Sequence, residues 1–289
     1  MSGPSVYSKD DFASLCARGS RVSEELLQVS KRVWLRVFFV EPEERTDNPA
    51  VLFVPGWITQ PTSWKHVLPE LTRDFPVVYI ETREKRGNRT KGEKEYSIAA
   101  MADDIKAVLK TVSPGAREYL FLGSSLGATV ILHAASSLAV KPLALVLVAP
   151  NAEFRAPLLW KIIITLFYPP LYMLIKPAVK WYLRTFRMDI HKDMDQYIKY
   201  CSALDAADPW KLKRAAVSLW KYSVWERLPR IETPCLLVGG SHDKLHEPEA
   251  LMNIKRNLKN ASYIDMHTNS ATHSKELVSH IRDFIRDKK

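Results

Sequence analysis

Residues 119–134 read Tyr-Leu-Phe-Leu-Gly-Ser-Ser-Leu-Gly-Ala-Thr-Val-Ile-Leu-His-Ala. The first four form an apolar run of strand length, and the residues from 125 to 137 read as a helix. Between them lies Gly123-Ser124-Ser125-Leu126-Gly127, a G-x-S-x-G pattern centred on Ser125. A strand that passes directly into a helix turns tightly and under strain. Flanking glycines let the two elements approach without Cβ clashes. The central serine then projects its Oγ beyond the strand end, and the helix N-terminus behind it favours developing negative charge. Ser124 does not fit this turn, because its neighbours two residues away are Leu122 and Leu126.

The same rhythm extends outward. Residues 50–54 are a short continuous apolar run ending at Pro55-Gly56, as expected of a strand buried on both faces of a parallel sheet. Residues 63–75 follow with helical spacing at Trp64, Val67, Leu68, Leu71 and Phe75, then a buried strand at 76–80 and a helix at 98–112. Residues 28–40 alternate as a strand, with Val33, Leu35, Val37 and Phe39 on one side, and 41–48 read as a turn. After the central motif come a strand at 143–148, another at 235–238, a helix at 248–258, a strand at 261–266 and a closing helix at 274–288. Alternating strands and helices predict an α/β fold with a mostly parallel central sheet flanked by helices. Residues 151–230 break the pattern with prolines and aromatics and no strand, and are expected to be an inserted α-helical cap. The predicted organisation is a polar leader at 1–27 with a short helix, a core at 28–150 and 231–289, and the cap between them.

The chain has 289 residues, 46% hydrophobic and 26% charged, which is globular composition with room for one large core. Three widely spaced cysteines, Cys16, Cys201 and Cys235, form no C-x-x-C pair and suit a reducing, cytoplasmic compartment. No apolar signal segment opens the chain, and no run of eighteen apolar residues suggests a spanning helix. The net charge of +10 fits nucleic acid, an anionic membrane surface or an acidic substrate, so its location matters. Nothing resembles a helix-turn-helix, an RRM or a zinc finger, and nucleic acid is not an expected partner.

A serine nucleophile needs a base and an acid, in the order Ser, Asp, His for a strand–turn–helix of this kind. Asp243 follows the strand at 235–238, and His273 follows the last strand and opens the last helix. With these residues in place the chain resembles the α/β-hydrolase superfamily over residues 28–289. The resemblance implies a triad of Ser125, Asp243 and His273. It also implies an oxyanion hole from the backbone N–H groups of Trp57 and Leu126. The first oxyanion motif reads Pro55-Gly56-Trp57, with proline where the family usually has histidine; the Trp57 amide remains. Serine at the elbow separates the chain from dehalogenases and epoxide hydrolases, whose nucleophile is aspartate. The implied reaction is acyl transfer to water through an acyl-enzyme.

Other residues have plainer readings. His267 is the rival base, but it lies closer to the strand end. His133, on the apolar helix, reads as a hydrogen-bonded packing residue. His242 and His246 have i,i+4 spacing beside Asp243, but no third ligand is suitably spaced, so no metal site is expected. His66, His191 and His280 read as surface residues. Asp205 and Asp208 become rival acids only if the cap folds deep into the site. No nucleotide or flavin motif is present, and no cofactor is expected.

The cap holds fourteen Lys/Arg against seven Asp/Glu, a net +7, and five of the eight tryptophans: Trp160, Trp181, Trp210, Trp220 and Trp225. Its apolar stretch at 162–175 is interrupted by Pro169-Pro170 and predicts two short helices. These residues either pack the cap on the core or make a greasy lid that touches lipid. The loop at 82–94, with six basic and two acidic residues, reads either as solvated or as attracting anionic head groups. The expected function is hydrolysis of a carboxylic ester with a hydrophobic acyl group, such as a monoacylglycerol or lysolipid, with peripheral contact to an anionic membrane. Thioesters, peroxides, carbon–carbon bonds and acyl transfer to an alcohol stay open. The alternative is a lipid-binding or anionic-surface-binding protein on a hydrolase scaffold.

Overall fold

The structure is a computed structural model that describes residues 7–112, 118–154, 157–187, 194–243, 248–286 and 288. Among them, nine strands join in one sheet: β1 (Arg21–Ser30), β2 (Val33–Glu41), β3 (Ala50–Val54), β4 (Val77–Ile80), β5 (Arg89–Thr90), β6 (Tyr119–Ser124), β7 (Ala144–Val148), β8 (Cys235–Gly239) and β9 (Ala261–Asp265). The order is β1-β2-β4-β3-β6-β7-β8-β9, with β5 beside β2. Every pairing from β4 to β9 is parallel, whereas β2 runs antiparallel to β1, β4 and β5.

Alternation within each strand builds two cores. Leu52, Val54, Phe121, Leu145, Leu147 and Leu237 face one side, where helices α3 (Ile98–Val112), α4 (Leu126–Ala135) and α9 (Pro248–Asn257) pack. Val51, Phe53, Leu120, Leu122, Val146 and Val238 face the other, under α1 (Lys9–Ala13), α2 (Leu68–Leu71) and α10 (Lys275–Arg286). Both faces are covered, which is why these strands are continuous apolar runs. The expected α/β architecture is therefore present.

Two local expectations are corrected. The single strand at 28–40 is a two-stranded hairpin, β1 and β2, with an irregularity between Gln28 and Ser30. Strand β1 begins at Arg21, inside the segment read as leader, and its polar residues are exposed at the sheet edge, so it carries little apolar periodicity. Helix α1 buries Phe12 against Phe38, ring centroids 4.2 Å apart. The helix at 63–75 is instead a 3-10 turn at Pro61–Trp64 followed by the one-turn α2. Pro61 and Pro69 each remove a backbone donor. The burial predicted from the spacing still holds, since Trp64, Val67, Leu68, Leu71 and Phe75 are all fully buried.

Between β7 and β8 the chain forms α5 (Leu158–Leu166), α6 (Tyr172–Tyr182), α7 (Met194–Ala206) and α8 (Pro209–Leu219). A 3-10 turn, Pro169–Leu171, separates α5 from α6 where the double proline interrupts the helix. The two ends of the insertion meet: Glu153 bridges Ser223, and Val224 N–H donates to Ala152 O at 2.9 Å. Among the described residues, no helix is long and apolar enough to cross a membrane.

Candidate active site

Ser125 stands between β6 and α4 with φ 48° and ψ −114°, left-handed backbone that an L residue rarely adopts. The glycines explain how the turn is tolerated. A Cβ on Gly123 would meet Ile131 Cδ1 at 2.4 Å and Ala128 Cα at 2.8 Å, and one on Gly127 would meet Val54 O at 2.1 Å. Gly127 therefore lets α4 rest directly on the end of β3. Ser125 N–H donates to Val148 O at 2.8 Å, and Ser125 O accepts from Thr129 N–H at 3.0 Å. Asn151 Nδ2 lies 3.3 Å from Ser125 Oγ and donates to it.

The loop after β3 passes against this turn: a Cβ on Gly56 would lie 3.5 Å from Ser125 Cβ and 3.4 Å from Ser124 O. Trp57 thus follows a residue in contact range of Ser125, and Leu126 opens α4, where N–H groups have no partner within the helix. The next residue, Ile58, has φ 48°. Lys85 Nζ donates to Gly56 O at 2.7 Å, and Thr82 Oγ1 donates to Glu84 Oε1 at 2.8 Å.

These contacts correct the reading of the loop at 82–94. Arg83, Glu84 and Lys85 are buried rather than solvated, and Arg83 is bidentate to Asp104 at 2.7 Å on both oxygens. Lys211 and Arg214 of α8 donate to carbonyls of Lys85, Asn88 and Glu93, so the insertion is seated on this loop. Burial pushes the Lys211 ammonium pKa down despite Asp208 and Glu84 nearby.

Asp243 and His273 are 7% and 8% exposed, and Asn269 joins them. Its Nδ2 donates to Asp243 Oδ2 at 2.8 Å, and its backbone O lies 2.9 Å from His273 Nδ1. Thr272 Oγ1 donates to the same carbonyl at 2.8 Å and lies 3.0 Å from Nδ1. Because a carbonyl only accepts, this arrangement places the proton on Nδ1 and leaves Nε2 as the acceptor of the neutral ring. Nε2 in turn lies 2.7 Å from Nζ of Lys199, on α7.

The sheet brings the three chain positions to one side. Ser125, Asp243 and His273 follow β6, β8 and β9, so all three emerge at one edge of a parallel sheet. His273 folds back along that edge: its ring lies 4.2 Å from Trp64, which packs 4.7 Å from Phe53 of β3, beside β6.

The remaining candidates are placed elsewhere. His267 is exposed, with its Nδ1 3.4 Å from Asp265. His242 is exposed, its ring 6.4 Å from that of His267. His246 and His191 lie outside the described residues, as does the Trp160 side chain. His133 is a buried packing residue with Nδ1 2.9 Å from Tyr222 Oη. Burial first, then Arg227, pushes its pKa down to about 4. Asp205 accepts from Lys176 and Lys180, and Asp208 caps α8. His66 is exposed and His280 half-buried. Asn151, Lys199 and Asn269 carry no signal in the sequence, because an amide or an amine in a loop or cap has no spacing signature.

A family model described as the alpha/beta hydrolase family matches residues 51–273. A search of curated proteins finds no match. Solved structures of similar fold include a thermophilic esterase from Thermogutta terrifontis, with 16% identity over 93% of this chain and 99% of that one and a TM-score of 0.72. The enol-lactonase from Burkholderia xenovorans LB400 has 16% identity over 88% of this chain and 96% of that one, with a TM-score of 0.70. A membrane phospholipase A described as a bacterial virulence factor has 17% identity over 92% and 86%, with a TM-score of 0.66. At these identities the likeness concerns the fold.

Proposed function

Since the chain belongs to the alpha/beta hydrolase family, we propose that it is a serine hydrolase of carboxylic esters. The observation that carries this reading is the Ser125 turn: a serine held at φ 48° between strand and helix, with the Gly56 loop against it. In this reading Ser125 Oγ attacks the ester carbonyl and gives its proton to His273 Nε2. The N–H groups of Trp57 and Leu126 receive the oxyanion. His273 passes the proton to the departing alkoxide. A water molecule then attacks the acyl-enzyme, gives its proton to His273, and the acid leaves as Ser125 is restored. Asp243, which accepts from Asn269 Nδ2, stabilises the imidazolium.

A lipid-like substrate draws support from the cap surface. Leu158, Leu159, Leu166, Met173, Leu174, Trp181 and Phe186 are all exposed, Leu166 to 78%. Residues 157–187 hold five basic residues and no acidic one. A face that is apolar and cationic together suits the boundary of an anionic bilayer. Only part of the cap therefore behaves as packing: Trp225 rests on the core, whereas Trp181 and Trp210 face outward. We take the compartment to be cytoplasmic, in keeping with three free cysteines.

A fluorophosphonate should add one adduct to the wild-type protein and none to Ser125→Ala; an unlabelled, folded wild type, with or without detergent, overturns the hydrolase reading. Flotation with phosphatidylserine vesicles at low salt tests the lipid surface, and failure to float removes it. The binding-protein alternative is favoured by one contact, Lys199 on the proposed base.

A further inference from the structure

The carbonyl of Gly56 and the N–H of Trp57 belong to one peptide group. In a trans peptide the two point in opposite directions, and none of the described peptide bonds is cis. Whatever holds the carbonyl therefore aims the N–H. The carbonyl accepts from Lys85 Nζ at 2.7 Å and from Thr59 N–H at 3.2 Å. Among the described residues, the Trp57 N–H has no acceptor. The loop stands beside the nucleophile, since a Cβ on Gly56 would lie 3.5 Å from Ser125 Cβ. The backbone alone holds this turn poorly. Thr59 N–H closes four residues onto Gly56 O, and the third of them, Ile58, has φ 48°. A β-branched residue resists that backbone, which glycine takes freely. Two side chains of the loop after β4 brace the turn. Lys85 takes the carbonyl, while Glu84 Oε1 accepts from Ile58 N–H at 3.4 Å and lies 3.5 Å from Lys85 Nζ. The Lys85 and Glu84 side chains are only 3% and 0% exposed, so water does not compete for these bonds. Thr82 Oγ1 steadies Glu84, and Lys211 of α8 holds the backbone of Lys85 through its carbonyl.

We propose that Lys85 is a positioning residue of the reaction: it fixes the plane of the Gly56–Trp57 peptide, so that the Trp57 N–H stands ready for the oxyanion formed at Ser125. The inference rests on the ester-hydrolase reading. Lys85 does not touch the substrate; it acts through one peptide group. A buried ammonium is costly unless paired, and here its partners are the Glu84 carboxylate and the one carbonyl whose direction matters to the site. The oxyanion of the transition state depends on the donor far more than the ester carbonyl of the bound substrate does. Loss of the clamp therefore falls on kcat rather than on KM.

The test measures p-nitrophenyl butyrate hydrolysis and fluorophosphonate labelling. Lys85→Met keeps the apolar stem and removes the donor. It should lower kcat about 10- to 100-fold with KM changed by less than about threefold, and slow labelling in step. Lys85→Arg, which keeps an N–H donor, should recover much of kcat. Because Lys85→Met strands the Glu84 carboxylate, Glu84→Gln/Lys85→Met is the second variant. It carries no lone buried charge, so its urea midpoint should return toward wild type while kcat stays low. Arg83→Lys, in the same loop and buried against Asp104, is the control for a merely structural role. It should lower the urea midpoint and leave kcat within about threefold. An active wild type with equal kcat in the double variant overturns the positioning role and leaves the hydrolase reading standing. A loss carried by KM alone, or one of the same size in Arg83→Lys, overturns it as well. A folded wild type that neither takes up fluorophosphonate nor cleaves the ester overturns the hydrolase reading, and the role with it.

Discussion

The sheet and the insertion handle apolar residues in opposite ways. In β6, β7 and β8 every apolar side chain is buried, in β3 all but Ala50 are, and alternate residues feed two separate cores. In α5 and α6 large apolar residues point outward, while α8 puts Ala215 and Leu219 into the core and polar contacts tie the insertion down. Lys213 donates to Phe167 O, Lys211 to Lys85 O, and Lys180 to Asp205. The same residue types thus drive folding in one region and leave a surface unsatisfied in the other. A core governed by burial resists change, whereas exposed apolar helices such as α5 and α6 contribute less to it.

The largest effect should come where the core meets chemistry. Ser125→Ala should lower ester hydrolysis by about 10⁴-fold or more while leaving the urea midpoint nearly unchanged, because the methyl group keeps the same backbone. A comparable residual rate would mean that the elbow is architecture only. Next, Phe121→Ala should cost about 3–5 kcal/mol, whereas Leu174→Ala, at a position 76% exposed, should cost less than about 0.5 kcal/mol. Equal losses in urea unfolding would erase the contrast between the regions. Gly127→Ala belongs with the core group, since its Cβ would meet Val54 O at 2.1 Å. It should cost about 2 kcal/mol or more and reduce fluorophosphonate labelling as the Gly56 loop is pushed away.

A smaller effect concerns pH. His133 titrates near 4 in the folded protein against an ordinary value of 6.5. The unfolded chain therefore binds more protons between these values, so the stability from neutral His133 is complete above pH 6.5 and falls as pH drops toward 4. Urea titrations of wild type and His133→Gln at pH 7 and 4.5 should show the smaller loss in the variant. The smallest signal is optical: Trp181, 60% exposed, should shift its emission to shorter wavelength on anionic vesicles, and Trp181→Phe should remove most of that shift.

Legibility in the sequence follows the same division. The strands from 50 to 54 and from 119 to 124, and the turn at Ser125, are readable because burial on both faces leaves an uninterrupted apolar run and the turn demands its glycines. Strand β1 is not readable, because an edge strand whose residues are largely exposed has no apolar face to betray it. The loop at 82–94 misleads because charge usually means solvent. Here Arg83 is buried against Asp104, and Lys85 against the carbonyl of Gly56, and such pairings are long-range. In the same way Asp243 and His273 stand out by their places in the chain, while Asn269 between them and Lys199 above are visible only once helix and loop are brought together.

The staple at Glu153 and Ser223 gives the insertion a modular character. The chain departs from β7 and returns toward β8 through neighbouring backbone positions. Loop-closure entropy grows only slowly with length, and a closed mouth makes long and short inserts nearly equivalent to the strands. The insertion therefore leaves and re-enters the sheet at one mouth, and changes in its outward helices α5 and α6 should reach Ser125 only through that mouth and α8.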